Sequence, residues 1–367
     1  MTAAPPPPEP RAVGFAGWVR CAAPTSRALG SAASRLPAPR ALGLLAGVAL
    51  DAVFADPRRG HPVALFGRAA AALERRLYGD AKAYGVAHTA LCVGAVAVVG
   101  VAAERATRRS PLARAAVTAA ATWAVLGGTS LAREGVAMAE ALEADDLPRA
   151  RARLSHLCGR DPSELEAAEL ARATVESVAE NTSDAVVAPL LWGAVAGVPG
   201  LLAYRAVNTL DAMVGHRSPR YERFGWAAAR LDDAANLVPA RAAGALAVLA
   251  SPLVGGSPRR TARVLARDGH RHPSPNAGRC ESAFAGALGV TLGGVNVYGS
   301  RVEHRPEMGD GRKPDVSDIR RSVRLARAVS LAAAGVAAAV AMRSTAGSAV
   351  RSAMRSAMRF AVRSNCR

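Results

Sequence analysis

The side chains best suited to chemistry gather in residues 173–241. Three polar groups there share helical spacing: Glu176, Glu180, Asn181 and Asp184, then Asn208 and Asp211, then Asp232, Asp233 and Asn236. A helix advances about 6 Å in four residues and returns nearly to the same face, so Glu176, Glu180 and Asp184 form one acidic ridge. Stacked like charges repel, and a metal ion or basic side chains would relieve them. A solvated helix face would explain the ridge taken alone. Its neighbours favour function, because residues 185–204 are uncharged over about the length of a bilayer crossing and the second polar group begins where that run ends. Residues 204–233 then combine acids with Arg205, Arg217, Arg220, Arg223 and Arg230 and with Tyr221, Phe224 and Trp226. That mixture suits a metal-bound phosphate held beside a flat ligand.

The elements that must position these groups follow from composition. Half of the 367 residues are hydrophobic, yet 21% are charged and the net charge is +18. Apolar and charged stretches are segregated along the chain, the pattern of a multi-pass membrane protein with basic loops. Lys82 and Lys313 are the only lysines, so arginine carries the charge. No basic helix with interleaved aromatics appears, which sets nucleic acid aside and leaves anionic lipid or anionic substrates as partners. Five cysteines, odd in number and without a C-x-x-C pair, support neither a disulfide framework nor a zinc site. They are expected to be reduced thiols facing the cytoplasm or lipid.

The expected fold is all-α and polytopic, with four to six transmembrane helices joined by helical and loop polar segments. Residues 1–40 read as a disordered Pro/Ala/Arg-rich extension, 41–342 as the membrane-embedded domain, and 343–367 as a basic low-complexity tail. Residues 41–54 form a short apolar helix interrupted by Asp51, and turns follow at Asp56-Pro57 and His61-Pro62. An amphipathic helix over 67–78 keeps Glu74, Arg75 and Arg76 on its wet side. Spans are expected at 85–103, 115–132, 185–204 and 242–258. Between them, 133–174 reads as a solvated pair of helices broken near Pro148 and Asp161-Pro162, with Asp161 capping the second. Residues 282–300 are either a span or a glycine-rich loop, without a dinucleotide or Walker fingerprint. Residues 301–327 are a charged loop, and 328–342 a last helix, short for a full crossing.

Five blocks carry a resemblance: LDAVFADPRRGHPVALFGR, ATVESVAENTSDAVVAPLLW, LAYRAVNTLDAMVGHRSPRYERFGWAAARLDDAANLVPAR, SPNAGRCESAFAGALGV and RPEMGDG. Together, between about Leu42 and Leu331, they resemble the adenosylcobinamide-phosphate synthase family. The resemblance implies an ATP-dependent, amide-forming ligase of cobalamin biosynthesis in the cytoplasmic (inner) membrane. It implies adenosylcobyric acid and aminopropanol or its phosphate as substrates, ATP and magnesium as co-substrate and metal, and other corrin-pathway enzymes and the lipid bilayer as partners. Amide formation requires an activated carboxylate and a free-base amine. Applied to the matching positions, that chemistry nominates Glu176, Glu180, Asp184, Asp232 and His61 as catalytic groups. Glu180, Asp184, Asp211, Asp232 and Asp233 are the candidate magnesium ligands. Arg205, Arg217, Arg230 and Arg241 would neutralise phosphate, while Asn181, Asn208, Asn236, Asn276 and Tyr221 would hold the corrin. The proton-accepting base stays open between His61 and a carboxylate. Arg279-Cys280 departs from the aromatic or neutral pair expected after SPNAG, and both terminal extensions exceed the family's usual length.

Two other readings fit parts of the pattern. A membrane prenyltransferase would present N-x-x-D at Asn208 and Asp211 and D-D-x-x-N at Asp232 to Asn236 to magnesium diphosphate. A transporter or a non-catalytic scaffold of a corrin-pathway complex would also carry acids at membrane depth, but has no use for the intervening arginines.

Overall fold

Alanine, valine and leucine fill the long uncharged runs, and in lipid such runs become helices because every backbone polar group is then satisfied internally. The computed structural model describes residues 38–57, 60–216, 218–298 and 301–364. Nearly all of the expected N-terminal extension lies outside them. In chain order the helices are α1 (Pro39–Phe54), α2 (Pro62–Leu77), α3 (Lys82–Thr107), α4 (Pro111–Val125), α5 (Gly128–Glu143), α6 (Leu147–Leu154) and α7 (Ala167–Thr182). A π-helical turn, Ser183–Val187, joins α7 to α8 (Ala188–Leu210), and a second, Asp211–Gly215, ends α8. Helices α9 (Trp226–Ala250), α10 (Pro258–Asp268) and α11 (Ala277–Leu288) lead to an antiparallel hairpin of β1 (Leu292–Tyr298) and β2 (Arg301–Met308), and α12 (Val316–Ser364) ends the fold. Five helical stretches are long and apolar enough to cross a membrane: Lys82–Thr107, Pro111–Glu143, Ala167–Gly215, Trp226–Val254 and Val316–Arg343. The protein is therefore an all-α polytopic fold with a small hairpin.

The third stretch departs most from expectation. Residues 185–204 are not one straight crossing, because Gly197 takes φ 69° and ψ −151°, outside the helical region. In a straight helix Tyr204 would sit about 30 Å from Asp184; instead its hydroxyl donates to the Asp184 carbonyl at 3.2 Å. Gly200 packs so closely on the Trp192 carbonyl that no Cβ would fit, although eight residues separate them. The helix folds back on itself at Gly197. The exposed backbone ends at the bend are satisfied by side chains: Val198 N–H donates to Glu104 at 3.1 Å, and Arg40 donates to the Ala194 and Val195 carbonyls. Left-handed φ and the Glu104 carboxylate in the space of a Cβ both require glycine there.

Other expectations are corrected in the same way. Asp51 does not interrupt α1; it is buried and accepts from the Thr129 N–H and hydroxyl, both at 3.0 Å. Glu74 is not on a wet face but buried, accepting from Arg220 and Tyr221 at 3.0 Å each. Asp161 makes a local turn with Ser163 and does not cap α7, whose capping box is Glu166 and Glu169. Asn208 lies in α8 and Asp211 opens the π turn that ends it, and the span expected to start at residue 242 begins at Trp226. Residues 282–300 split between α11 and β1, and the charged loop over 301–327 includes β2. The last helix starts at Val316 and is 49 residues long, so it has ample length to cross.

The main core joins α5, α7, α8, α11 and α12 through side chains such as Met138, Leu170, Val178, Phe284, Ile319 and Val329, all essentially inaccessible. A second cluster centres on Phe224, which packs against Tyr78 and His88 at ring separations of 5.4 and 5.2 Å. Cys92 and Cys280 are buried free thiols packed between helices, neither facing the cytoplasm nor lipid.

Candidate functional site

The fold-back at Gly197 explains why two acids 27 residues apart can share a site. Asp184 lies thirteen residues before the bend and Asp211 fourteen after it, so the two arms return them to about the same level. Helix α9 adds Asp232 on a third segment. Asp184 interacts electrostatically with Glu180, Asp211 and Asp232, and Asp211 also with Asp233. Arg205 stands against Asp184 and Asp56, and Arg160 and Arg305 act on Glu180.

A chain of amides fixes the geometry. The Tyr204 hydroxyl donates to Asn236 Oδ1 at 2.8 Å, and Asn236 Nδ2 donates to Asp232 Oδ2 at 3.0 Å. Asn208 Nδ2 reaches Asp232 Oδ1 at 3.4 Å, while its own oxygen accepts from Arg205 at 3.4 Å. Both oxygens of Asp232 are thereby oriented by neutral donors, which leaves its charge uncancelled. Among the described residues no three His, Cys, Asp or Glu side chains form a ready metal-ligand set. Magnesium needs none, since it retains waters and takes one or two carboxylates plus phosphate oxygens. Facing, incompletely neutralised carboxylates fit such an ion.

Beside the acids lies a cavity of about 710 Å³, with Asp233, Arg230, Trp226, Tyr221, His216 and Lys82 in its wall. Its far side is the turn Pro273-Ser274-Pro275, tied to α9 by Asn276 Nδ2 donating to the Asp233 carbonyl at 2.8 Å. Arg223 adds to the basic wall; Arg220, next to the lining Tyr221, stacks on the Tyr78 ring at 4.0 Å, and its bond to Glu74 holds its guanidinium above the usual range.

A family model described as "CobD/Cbib protein" matches residues 44–326. The chain belongs to the CobD/Cbib protein family. It is 58% identical over 296 residues to the cobalamin biosynthesis protein CobD of Mycobacterium tuberculosis (strain ATCC 25618 / H37Rv), covering 80% of this chain and 94% of the relative. The protein of the same name from Geobacter metallireducens is 48% identical over 288 residues, covering 77% and 91%. That from Pelobacter propionicus is 41% identical over 304 residues, covering 81% and 93%. No solved structure matches the chain.

In this CobD/Cbib member the structure brings together Glu180, Asp184, Asp211, Asp232, Asp233, Arg205, Asn208 and Asn236, with Tyr221, Arg230 and Asn276 at the cavity. Four expected residues go elsewhere. Glu176 is locked by Arg160 at 2.6 Å, Arg172 at 3.3 Å and the Gly293 N–H at 2.8 Å, and braces the hairpin. His61 caps α2, its Nδ1 accepting from Val63 N–H at 3.2 Å, with Nε2 3.4 Å from Asp56. Asn181 bonds back to Ser177, and Arg241 to the Leu237 carbonyl on an exposed face. Arg217 lies outside the described residues. Tyr204, Lys82, His216 and the Pro273-Ser274-Pro275 turn join the site without having been singled out. Only the turn chemistry of Ser274-Pro275-Asn276 signalled itself in the sequence.

A second buried polar cluster lies under the hairpin. Glu281 on α11 is inaccessible, 3.9 Å from both His272 and Arg305, and burial raises its carboxyl well above the usual range. Burial likewise lowers the His272 imidazole to about 4.

Proposed function

We propose that this protein acts in cobalamin biosynthesis in the cytoplasmic membrane, joining adenosylcobyric acid to aminopropanol or its phosphate through an amide bond, with ATP and magnesium. The observation that carries this reading is the meeting of Asp184, Asp211 and Asp232 from three helical segments beside a basic, aromatic-lined cavity of about 710 Å³. Family membership and the curated relatives' names support the pathway.

When bound, magnesium and ATP would neutralise phosphate charge and supply the phosphoryl group that activates the carboxylate. Asp184, Asp211 and Asp232, with Glu180 behind them, are the residues that would hold the ion. Asn208 and Asn236 keep the Asp232 oxygens in place, so little reorganisation accompanies binding. Arg205 from within, and Arg230 from the cavity, neutralise phosphate oxygens. Tyr221 and Trp226 offer flat apolar faces to a macrocycle at the cavity wall. An unprotonated carboxylate of this group accepts the amine proton, since His61 is committed as a cap.

The test incubates detergent-solubilised protein with adenosylcobyric acid, aminopropanol phosphate and Mg-ATP and looks for the amide by mass spectrometry. Product dependent on every component supports the reading. Folded protein that binds the corrinoid without product refutes the catalytic assignment, and protein that binds no corrinoid refutes the substrate.

A further inference from the structure

The cavity beside the acids does not end at its polar wall. It shares Trp226 and Arg230 with an apolar hollow of about 460 Å³, and that hollow shares Val93, Leu231 and Ala234 with another of about 450 Å³. Together the two hollows make a groove on the membrane-facing surface between α3, α8 and α9. Measured along α3 from Val86 to Ala97, the hollows are about 17 Å long, and with Lys82 of the polar cavity one turn beyond the mouth the path reaches about 22 Å. One leaflet with its headgroups is half of roughly 40–45 Å, so this path matches a single leaflet.

Its chemistry changes along its length. In the deep part the polar atoms are already used: Trp192 Nε1 donates to the Ala235 carbonyl at 3.0 Å, and the Tyr204 hydroxyl to Asn236. Nothing there asks for a hydrogen bond, so the occupant is apolar at that end. At the mouth, Lys82 sits 4.8 Å above the Trp226 ring, and Arg230 is two-thirds exposed despite its 3.4 Å contact with Asp233. Lys82 and Trp226 each open a membrane-crossing helix, the position where cationic and aromatic anchors meet headgroups.

We propose that the groove binds one anionic phospholipid of the adjoining leaflet, with its phosphate between Lys82 and Arg230 and one acyl chain running past Gly94 to Trp192. The mouth shares Lys82, Trp226 and Arg230 with the cavity wall, while the acyl path along Gly94 and Trp192 lies outside the candidate site.

Two tryptophans in the groove wall, Trp226 and Trp192, provide the readout. The full chain in detergent micelles is titrated with phosphatidylglycerol carrying brominated chains, which quench indole fluorescence, and with phosphatidylcholine carrying the same chains. Quenching by the anionic lipid is expected at lower concentration, and Lys82→Ala should cost about fivefold in that preference. Gly94→Leu should abolish the saturable quenching; a Cβ at Gly94 meets nothing within 4 Å, so this variant fills the groove without a clash inside the protein. Equal quenching by both lipids, unchanged in Gly94→Leu, would mean ordinary surrounding lipid and overturn the proposal. So would unquenched tryptophans in a particle of dimer mass, which would assign the face to a second copy.

Discussion

Glu176 tests whether an acid at catalytic spacing serves chemistry or architecture. Its carboxylate is 4% exposed, takes Arg160 at 2.6 Å and Arg172 at 3.3 Å, and accepts the Gly293 N–H at 2.8 Å. Arg172 in turn donates to Val295 and Asn296, so this cluster ties β1 to α7. Glu176→Gln keeps the shape and one acceptor oxygen but sets an NH2 group against a guanidinium. Removing one partner of a buried ion pair costs about 3–5 kcal/mol, and the retained acceptor places this change near about 3 kcal/mol. Glu176→Ala, which loses both oxygens, belongs at the upper end. The assay is denaturant unfolding in detergent, with hydrogen exchange read at the Gly293 amide. A loss of stability accompanied by faster exchange at Gly293 is expected. An unchanged unfolding midpoint with Gly293 still protected would refute the assignment and return Glu176 to the candidate catalytic set.

Three further outcomes follow from the geometry. Asp232→Asn should lower amide formation by roughly 10²–10³-fold, read by mass spectrometry, while the protein stays folded because the new amide keeps an acceptor for Asn236 and gives up only the long 3.4 Å bond from Asn208. His272 is held near 4 in the fold against about 6.5 unfolded, so the unfolded chain takes up the proton first. The stability from its neutral form is therefore complete above about pH 6.5 and is lost between about 6.5 and 4, by roughly 3 kcal/mol, and His272→Gln should flatten that slope in unfolding curves. Gly85→Ala pushes a methyl group into the Phe224 carbonyl and should destabilise by about 1–3 kcal/mol or abolish folding, read as loss of monodisperse protein on extraction.

Much of the site was legible because its residues declare themselves by spacing: Asp232 and Asn236 fall four apart on α9 and do bond to each other. The membrane character followed from segregated charge. What escaped was tertiary. Residues 185–204 have the length and composition of one crossing, and the local sequence gives no sign that Glu104 and Arg40, far away in the chain, stabilise a bend at Gly197. Glu176 shares the periodicity of Glu180 and Asp184, and periodicity alone cannot show that Arg160 waits opposite it. The hairpin was hidden because its glycines, Gly293 and Gly294, read equally as loop, and its second strand is rich in charge.

Both π-helical turns begin at or next to an acid of the site, Asp184 within Ser183–Val187 and Asp211 at the start of Asp211–Gly215. A π turn is an α-helix carrying one extra residue. The wide turn absorbs that residue locally, so deleting one residue there would restore ordinary winding with little rotation beyond it, whereas the same deletion in an ordinary α turn would rotate everything beyond by about 100°. A deletion in α8 between the first π turn and Trp192 would swing Trp192 and the whole return arm out of phase with α9, and most point substitutions would leave that phase intact. The two π turns are therefore the places beside these acids where the protein can change length by one residue and still keep the register of its return arm.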